Sequence, residues 1–311
     1  MAARRRAAGR ARIVPAVSSV EAVRRIVAAW RVRGERIAFV PTMGYLHDGH
    51  LSLVRRAARV ADRVIVSVFV NPLQFGPRED FAAYPRDWSR DRRLLGEVAT
   101  DLVFTPQSRL YVAPDHATQI SVEGVARPLE GEERPGHFAG VATVVAKLLN
   151  SVIPDDLWLG QKDAQQVAVV RRMMSDLDWP VRLHVGPTVR ERDGLAMSSR
   201  NVRLSPAERA QAPLLYRALK AGRDVMREGG NGRRTARPSI AAHARAAERA
   251  MARVLAGATL GKIDYAAAVD PHTFQPPIDV APPRRVLLLV AVRFPSARLI
   301  DNVPVPCGPS R

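Results

Sequence analysis

The stretch of sequence that decides the fold is RIAFVPTMGYLHDGH, which runs from Arg36 to His50. It opens with a short apolar run, Arg36–Val40, that has the length and composition of a buried strand. Directly after the stretch, Leu51–Arg63 carries apolar residues at helical spacing, with arginines on the other face. The sequence therefore predicts a strand, a turn with two glycines and a helix, and two histidines stand where that helix begins.

Strands and helices keep alternating through the first half of the chain. Apolar runs predict further strands at Val64–Val70, Asp101–Phe104, Asp156–Leu159 and Val181–Val189, and helices at Phe138–Val152 and Ala164–Leu177. This alternation predicts an α/β fold with a Rossmann-like, doubly wound parallel sheet and helices on both of its faces. Because such sheets bind ligands at the C-terminal ends of their strands, we expect the site in the loops that follow the strands.

The pattern changes after about Arg192. Periodicity there predicts helices at Pro206–Glu228 and Ser239–Ala256, and strands at Ile263–Ala268, Val286–Val292 and Arg298–Asp301. These elements predict a smaller α+β domain. We therefore expect a disordered basic tail over residues 1–12, a Rossmann-like domain over 13–189 and a smaller C-terminal lid domain over 190–311. Residues 229–238, which are rich in glycine and arginine, are expected to form a flexible insertion.

Composition narrows the class of protein. The 311 residues carry a formal net charge of +18, but the positive charge is nearly all arginine and is spread along the chain. That distribution indicates a compositional bias, so we expect no specific nucleic-acid partner and only weak, non-specific polyanion binding. No apolar run approaches the roughly 20 residues that cross a bilayer, and the start of the chain lacks the apolar core of a secretory signal. With Cys307 as its single cysteine, the chain is expected to be cytoplasmic, without a membrane partner.

The first candidate site is the segment Pro41–His50. Gly44 and Gly49 allow the backbone to approach a ligand closely. His47 and His50 lie at the first turn of the predicted helix, where the helix N-terminus favours anions such as phosphate. The H-x-G-H arrangement between a strand and a helix resembles the signature of the nucleotidyltransferase superfamily that includes class I aminoacyl-tRNA synthetases. The resemblance implies that the histidines stabilise the charge that builds as pyrophosphate leaves.

A second candidate site is the segment Asn71–Phe75, which directly follows a predicted strand. Asn71 and Gln74 offer neutral hydrogen-bond donors and acceptors that suit a hydroxy acid. The Asn-Pro pair is also a common start of an ordinary turn. The segment alone therefore leaves both interpretations open.

A third polar segment, Leu159–Gln166, stands where another predicted strand ends and a helix begins. Lys162 is one of four lysines in an arginine-rich chain, and its compact ammonium group suits a single phosphate oxygen. Asp163 has two possible roles, either as the N-cap of the helix or as an outer-shell partner of Mg²⁺. The segment therefore predicts a second set of phosphate contacts.

The fourth segment, Asp193–Asn201, is a loop of small and polar residues near the predicted domain boundary. Ser198, Ser199 and Arg200 supply hydroxyl and guanidinium donors for phosphates. The loop resembles the lysine-methionine-serine loop that closes over ATP in the same superfamily. The alternative interpretation is a linker.

The four segments occur in the order found in the pantothenate synthetase (pantoate–β-alanine ligase) family. Between them, Arg134–Val141 resembles the stretch before that family's central helix. Asp264–Tyr265 and Leu299–Asn302 resemble parts of its C-terminal domain. The similarity extends from Ile13 to Val305, nearly the whole chain, and the chain is identified from it as a member of the family.

Membership of that family implies a two-step reaction. ATP and pantoate form pantoyl-adenylate and pyrophosphate, with Mg²⁺ on the phosphates. The amine of β-alanine then attacks the mixed anhydride, which gives pantothenate and AMP. The family also implies a homodimer whose ligands are small molecules.

The resemblance assigns roles to individual residues. The expected catalytic residues contact the phosphates: His47, His50, Lys162, Ser198, Ser199 and Arg200. The expected ATP-binding residues also include Pro41, Thr42, Met43, Gly44, Gly49, Gly160, Asp163 and Met197. Pantoate is expected to contact Met43, Gln74, His137 and Gln166. Asp91, which follows the Tyr84-Pro85-Arg86 string, is expected to support magnesium.

Three positions depart from the family's pattern. Gln161 stands where Glu is more common, Asp48 replaces the commoner Glu, and Tyr45 replaces a small residue. These departures bear on affinity rather than on the type of reaction. Three alternatives remain at this point: an adenylyltransferase that acts on a phosphate ester, a nucleic-acid-binding protein, and a tRNA synthetase that lacks its anticodon domain.

Overall fold

The computed structural model describes residues 13–76, 81–228, 239–279 and 283–307. The chain divides into two compact units. The first unit contains Met1–Val122, Arg134–Gln161 and Val169–Val189, and the second contains Glu123–Glu133, Lys162–Ala168 and Arg190–Arg311. The predicted tail over 1–12 and the predicted insertion over 229–238 lie outside the described residues.

Nine strands and ten α-helices occur in the described part of the chain. The strands are β1 (Ala16–Val17), β2 (Ile37–Thr42), β3 (Arg63–Val68), β4 (Leu102–Phe104), β5 (Asp156–Gly160), β6 (Arg182–Gly186), β7 (Lys262–Val269), β8 (Arg285–Arg293) and β9 (Arg298–Pro306). The helices are α1 (Val20–Val32), α2 (Asp48–Ala57), α3 (Trp88–Gly96), α4 (Ser108–Tyr111), α5 (Glu130–Glu133), α6 (His137–Val152), α7 (Ala164–Asp176), α8 (Pro206–Gln211), α9 (Leu214–Glu228) and α10 (Ile240–Leu255).

The first unit is built on a six-stranded parallel sheet in the order β1-β4-β3-β2-β5-β6. From β2 the chain adds β3 and β4 on one side, and it later adds β5 and β6 on the other. The order therefore reverses between β2 and β5, where Ala38 pairs with Asp156 and Phe39 with Leu157. In open parallel sheets this reversal is where ligands bind, outside the carboxyl ends of the strands. The loops that follow β2 and β5 are placed at that point.

Burial of apolar side chains explains why these strands and helices form. Strand β2 is fully buried from Ile37 to Val40, as expected for a parallel strand covered on both faces. Helix α2 turns its apolar side inward through Leu51 and Val54, which join Val64 and Val66 of β3 in one hydrophobic cluster. The end of α2 that carries the histidines is thus fixed in place, because α2 packs into the core and follows directly from a buried strand.

The second unit is built on the antiparallel sheet β7-β8-β9. Leu215 and Leu219 of α9 pack with Met251 of α10 and with the inner face of β8, including Leu288. The fold class predicted from sequence, a Rossmann-like parallel sheet followed by a smaller α+β domain, is confirmed.

Several predicted boundaries were wrong. The helix predicted over Pro206–Glu228 is two helices, because Pro213 cannot donate the backbone hydrogen bond of a continuous helix. The helix predicted over Leu51–Arg63 begins earlier, at Asp48, and ends at Ala57. Strand β9 extends to Pro306 although it contains two prolines, which an edge strand tolerates. The sequence patterns used above also missed β1, α1 and α3.

Candidate active site

The histidine loop (Met43–His50) connects β2 to α2 and has an unusual backbone. Gly44 has φ +83°, and a Cβ there would lie 3.0 Å from Asp91 Oδ2 and from Val68 Cγ1. Tyr45 also has a positive φ, of 50°, which is uncommon for a bulky residue. Glycine adopts a positive φ readily, whereas Tyr45 does not, so other groups must hold the loop at Tyr45.

Asp91 of α3 is the group that holds the histidine loop. Its carboxylate is 1% exposed and accepts hydrogen bonds from the backbone N–H groups of Tyr45 and Leu46, both at 2.7 Å. Burial raises the pKa of Asp91, and the two backbone hydrogen bonds oppose the rise. Asp91 was expected to support magnesium, but both of its carboxylate oxygens already accept hydrogen bonds from backbone N–H groups.

His47 and His50 form a reciprocal cap at the start of α2. His47 is the N-cap residue, and its Nδ1 accepts from Gly49 N at 3.2 Å. The Nδ1 of His50 accepts from His47 N at 3.4 Å, and the ring centroids lie 4.0 Å apart. Because Nδ1 of each ring is an acceptor, the proton of each neutral ring lies on Nε2. Both histidines are therefore oriented as Nε2–H donors at a helix N-terminus, which itself favours anions.

Gln74 lies on a short 3-10 turn, Pro72–Gln74, which Asn71 organises. The Asn71 side chain is 3% exposed. Its Oδ1 accepts from Leu73 N at 3.0 Å, and its Nδ2 donates to Gln74 Oε1 at 3.0 Å and to Gly140 O at 3.1 Å. Asn71, for which the sequence left two interpretations open, therefore orients the Gln74 side chain.

His137 and Gly140 of α6 support the same turn. The His137 Nδ1–H donates to Gln74 O at 2.9 Å, and Arg134 contacts its Nε2 at 3.1 Å. At Gly140 the helix approaches so closely that a Cβ would lie 2.1 Å from Leu73 O. In the structure His137 contacts the backbone of the predicted pantoate-binding turn, and its own contact with substrate stays a prediction.

The register of the parallel sheet places the two predicted ligand-binding segments of the first unit, the histidine loop and the Asn71 turn, next to each other. Strands β2 and β3 are parallel neighbours, with Thr42 paired to Val68, so the histidine loop and the Asn71 turn follow the same edge of the sheet. Thr42 reinforces this edge, because its hydroxyl donates to Ser67 O at 2.7 Å and accepts from Gly44 N at 3.2 Å. Gly160, which ends β5, lies at the same edge beside β2.

The second unit contains the predicted residues that follow β5. Lys162 is mostly buried, and its Nζ lies 3.6 Å from Asp163 Oδ1. Its backbone oxygen accepts from Asn302 Nδ2 at 2.8 Å. Gln166 is half-buried in the first turn of α7, and its contact with substrate stays a prediction.

Gln165 is not among the predicted site residues, but it is buried and its hydrogen bonds hold this segment in place. Its amide donates to Val125 O at 2.8 Å and to Pro128 O at 2.7 Å, and its Oε1 accepts from Glu130 N at 3.2 Å. A glutamine at this position gave no local signal, because its partners lie some 35 to 40 residues away in sequence. It ties the start of α7 to the segment before α5.

The Ser198 loop (Asp193–Asn201) is also part of the second unit. Its base is a bridge between Arg190 and Ala196. Asn201 closes the other end, since its Nδ2 donates to Glu191 Oε1 at 2.8 Å and to Ala196 O at 3.1 Å. The Ser198 hydroxyl accepts from Arg200 N at 3.2 Å. Met197, Ser198 and Arg200 are half-buried, whereas Ser199 is 7% exposed.

Arg190 anchors the Ser198 loop to strand β9. Its guanidinium makes two hydrogen bonds with the Asp301 carboxylate, at 2.5 Å and 3.0 Å, and lies 3.8 Å above the Tyr216 ring. Burial raises the pKa of Asp301, and the positive charges of Arg190 and Lys162 oppose the rise. From sequence, Asp301 was only the end of a predicted strand and part of a resembling string, with no partner assigned to it.

The described residues also bear on magnesium. Among them, no three His, Cys, Asp or Glu side chains gather into a possible metal site. Mg²⁺ in nucleotide enzymes is commonly held by phosphates, water and one or two carboxylates. Asp163 of the predicted ATP-binding set offers one half-exposed carboxylate of this kind.

The fold and the two sets of residues define a class of protein. A parallel sheet with its reversal at β2 and β5, and an H-x-G-H helix start at that reversal, is the arrangement of a Rossmann-like nucleotide-binding enzyme. No described helix combines the length and apolar character needed to span a membrane.

Comparison with known proteins identifies the family. The model of the Pantoate-beta-alanine ligase family matches residues 15–304. A pantothenate synthetase of Thermus thermophilus is 53% identical over 273 residues, which cover 87% of this chain and 94% of that protein. That of Moorella thermoacetica is 47% identical over 287 residues, which cover 92% and 97%. The chain belongs to the pantoate–β-alanine ligase family.

Solved structures agree with the sequence relatives. A crystal structure of pantothenate synthetase from Thermus thermophilus superposes with a TM-score of 0.84 at 48% identity, covering 93% of this chain and 99% of that one. The ligase from Francisella tularensis, complexed with β-γ ATP and β-alanine, gives 0.72 at 29% identity, covering 93% and 97%. The predicted family and activity are confirmed: the chain is an ATP-binding ligase that condenses pantoate with β-alanine.

Proposed function

We propose that the condensation proceeds through a pantoyl-adenylate. A carboxylate oxygen of pantoate attacks the α-phosphorus of ATP, and pyrophosphate leaves. The β-alanine amine then attacks the acyl carbon, the C–N bond forms, the bond to AMP breaks and a proton is released. The observation that carries the proposal is the pair of histidines whose Nδ1 atoms are both engaged at a helix N-terminus, which makes Nε2–H the donor of each ring.

The charge that develops on the phosphates explains the residue types of the proposed site. As the bond to pyrophosphate breaks, negative charge grows on oxygens that His47, His50 and the start of α2 can stabilise. Lys162, Ser198, Ser199 and Arg200 supply further donors, and the guanidinium suits two oxygens at once. Catalysis by charge stabilisation and by proximity requires no covalent nucleophile from the protein.

The remaining predicted contacts complete the proposed nucleotide site. They are Pro41, Thr42, Met43, Gly44, Gly49, Gly160, Asp163 and Met197. Their common property is placement at the ends of β2 and β5, in the loops that follow these strands, or in the Ser198 loop. Mg²⁺ would neutralise phosphate charge when bound with ATP, and we propose Asp163 as its outer-shell partner.

Pantoate is proposed to bind through Gln74 and Gln166, with Met43 packing beside it. Gln74 supports this role because Asn71 donates to its Oε1. That bond orients the amide so that its Nε2 group is the donor for a carboxylate or hydroxyl. His137 supports the same turn through the Gln74 carbonyl.

We further propose that the protein acts in the cytoplasm as a homodimer, as the family resemblance implies. Sedimentation velocity at micromolar concentration tests the assembly directly. A single monomeric species across that range would contradict it.

The adenylation step is tested by ATP–pyrophosphate exchange. Purified protein is given ATP, labelled pyrophosphate and Mg²⁺, with and without pantoate, and β-alanine is omitted. We expect exchange that requires pantoate, because only a reversible adenylate returns the label to ATP. Absence of exchange from protein that binds ATP and forms pantothenate would rule out a free adenylate intermediate.

A further inference from the structure

We propose that strand β9 positions the phosphate-binding groups of the second unit, through Asp301 and Asn302. This inference rests on the proposed roles of Lys162 and of the Ser198 loop toward ATP. It adds three positioning residues, Arg190, Asp301 and Asn302, none of which belongs to the predicted set of ligand contacts.

The first set of contacts connects Asp301 with the Ser198 loop. Asp301 is 3% exposed, and both of its carboxylate oxygens bind the Arg190 guanidinium. Arg190 also donates to Gly194 O at 3.1 Å and forms the bridge to Ala196 at the base of the loop. One buried ion pair thus fixes the point from which the Ser198 loop departs.

The ring of Tyr216 packs against both Arg190 and Gly194. Its guanidinium lies 3.8 Å above the ring of Tyr216, and a Cβ at Gly194 would lie 2.5 Å from the same ring. The loop base is therefore packed against α9 as well as paired with β9. A side chain with a different reach at position 190 would displace the loop rather than simply lose a charge.

The second set of contacts connects Asn302 with Lys162. Asn302 is 3% exposed, and its Nδ2 donates to the backbone oxygen of Lys162 at 2.8 Å. Its own backbone N–H donates to Asp301 Oδ1 at 2.7 Å. Because successive residues of a strand point to opposite faces, adjacent positions of β9 can serve two different segments.

Stability alone is a weak reason for such a pair. Taking two charges out of water is costly, and apolar replacements of buried ion pairs are often neutral or stabilising. A two-point guanidinium–carboxylate contact does provide fixed geometry. Small misplacements of groups that bind a reacting substrate can lower rates by about 100-fold, so positioning is the property that the arrangement supplies.

The test compares four variants in the complete protein: Asp301→Asn, Asn302→Ala, Arg190→Lys and, as a matched control, Asp224→Asn. Asp224 also contacts an arginine of the second unit, Arg223 at 3.3 Å, but it is exposed. Measurements are ATP–pyrophosphate exchange at varied ATP and pantoate, the Kd of ATP by calorimetry, and the unfolding midpoint. Asn302→Ala removes the donor to Lys162 and keeps both charges of the Asp301–Arg190 pair, so it remains informative if Asp301→Asn does not fold.

We expect Asp301→Asn and Asn302→Ala to lower kcat/KM for ATP by about 10- to 100-fold. The KM for pantoate should stay within about twofold, and Arg190→Lys should keep the charge without restoring the rate. Asp224→Asn should behave as the unaltered protein. Wild-type rates in folded Asn302→Ala, or equal losses toward ATP and pantoate, would overturn the inference.

Failure of the inference and failure of the proposed function give different results. If the unaltered protein shows no pantoate-dependent exchange, the adenylation proposal fails. If it does show exchange, and the β9 variants bind and turn over ATP as it does, only the positioning role fails.

Discussion

The histidine loop and the Ser198 loop present similar donors by different means. The histidine loop is stabilised by one local and one remote set of contacts: His47 and His50 cap each other three residues apart, and Asp91, 45 and 46 residues away in sequence, binds two adjacent backbone N–H groups. The Ser198 loop depends on partners remote in sequence, since Arg190 pairs with Asp301 across 111 residues. Capping residues satisfy a helix N-terminus locally, so the histidine loop needs a remote partner only for its turn at Tyr45 and Leu46. A loop without regular structure must be held by the rest of its unit.

The two buried aspartates, Asp91 and Asp301, also differ in the groups that they bind. Both Asp91 oxygens accept from backbone N–H groups, with the Arg90 guanidinium 3.7 Å from Oδ1, whereas both Asp301 oxygens bind the Arg190 guanidinium directly. Burial raises the pKa of each aspartate. Loss of Asp91 would leave unpaired N–H groups, while loss of Asp301 would leave an unpaired charge. The predictions below use such differences to test whether the two loops fail in different ways.

The largest expected effect is on the phosphate-binding groups of both units. His50→Ala and Lys162→Ala should each lower turnover by about 100-fold or more, because each removes a donor that we propose to stabilise developing charge. Steady-state kinetics with all three substrates measures the loss. His272→Ala and Lys262→Ala, at exposed positions, serve as controls, and near-normal turnover in either site variant would remove that residue from the mechanism.

Gly140→Ala should be the next most damaging change, although Gly140 is not itself a predicted ligand contact. The added methyl group would meet the backbone of Leu73 at 2.1 Å, so the turn that carries Gln74 must move. We expect the KM for pantoate to rise by at least about 10-fold, and stability to fall by about 1–3 kcal/mol.

The control for that change is Gly76, which closely follows the turn that carries Gln74. Gly76→Ala adds a methyl group into open space, so its kinetics should match those of the unaltered protein. Equal behaviour of the two glycine variants would mean that the close approach of α6 does not determine the position of Gln74.

Gln74→Ala should chiefly weaken pantoate binding, by about 10-fold, since one or two hydrogen bonds to a charged ligand are lost. The KM for ATP should change little. A change confined to ATP would contradict the assignment of Gln74 to pantoate. Initial rates at saturating ATP and saturating β-alanine separate the two cases.

Asp91→Asn tests whether Asp91 positions the histidine loop or supports magnesium. Asparagine keeps one acceptor oxygen, so one of the two backbone N–H groups loses its partner at a cost of about 1–3 kcal/mol. We expect a lower unfolding midpoint and a several-fold lower kcat, with an unchanged Mg²⁺ concentration at half-maximal rate. A large rise in that Mg²⁺ concentration would instead support the metal role.

The smallest effects concern acid stability, for which each unit contains a glutamate whose pKa is lowered to about 2. Hydrogen bonds from Arg63 and Arg33 lower the pKa of Glu35 to about 2. Hydrogen bonds from the backbone N–H groups of Ser205 and Ser296 contribute to lowering that of Glu208 to about 2. A carboxylate with a lowered pKa stabilises the fold above its ordinary value of about 4.5, and that contribution is lost as pH falls toward 2.

Unfolding midpoints between pH 2 and 6 therefore test both glutamates. Glu35→Gln and Glu208→Gln should be less stable than the unaltered protein near pH 6 and should converge with it near pH 2. Because Glu35 is paired with arginines and Glu208 mainly with backbone N–H groups, added salt should reduce the Glu35 contribution more. Identical salt responses would show that the difference in partners is unimportant.

Motif order and hydrophobic periodicity predicted both the fold class and the family of this chain. The strand, turn and helix around the histidines predicted the parallel sheet, and the ordered segments predicted the family and its activity, both of which are confirmed. Boundaries were less reliable: a single helix was predicted across Pro213, and the short strand β1 was missed. Short elements carry too few residues for a periodic pattern to emerge.

The predicted ligand contacts themselves stay predictions. What the structure adds is the set of residues that orient them, including Asn71, Gly140 and Gln165. None of these could be assigned a partner from sequence, because each contacts groups that are brought close only by folding.

The sequence by itself determined the alternation of strands and helices, the placement of the histidines at a helix start and the identity of the family. These properties depend on local patterns, since side-chain periodicity and helix capping involve residues only a few positions apart. Only the tertiary structure decided that Asp91 binds the histidine loop, that Gly140 meets Leu73, and that Asp301 pairs with Arg190. Those contacts join distant segments, and their energy depends on burial and distance, which no local pattern of residues specifies.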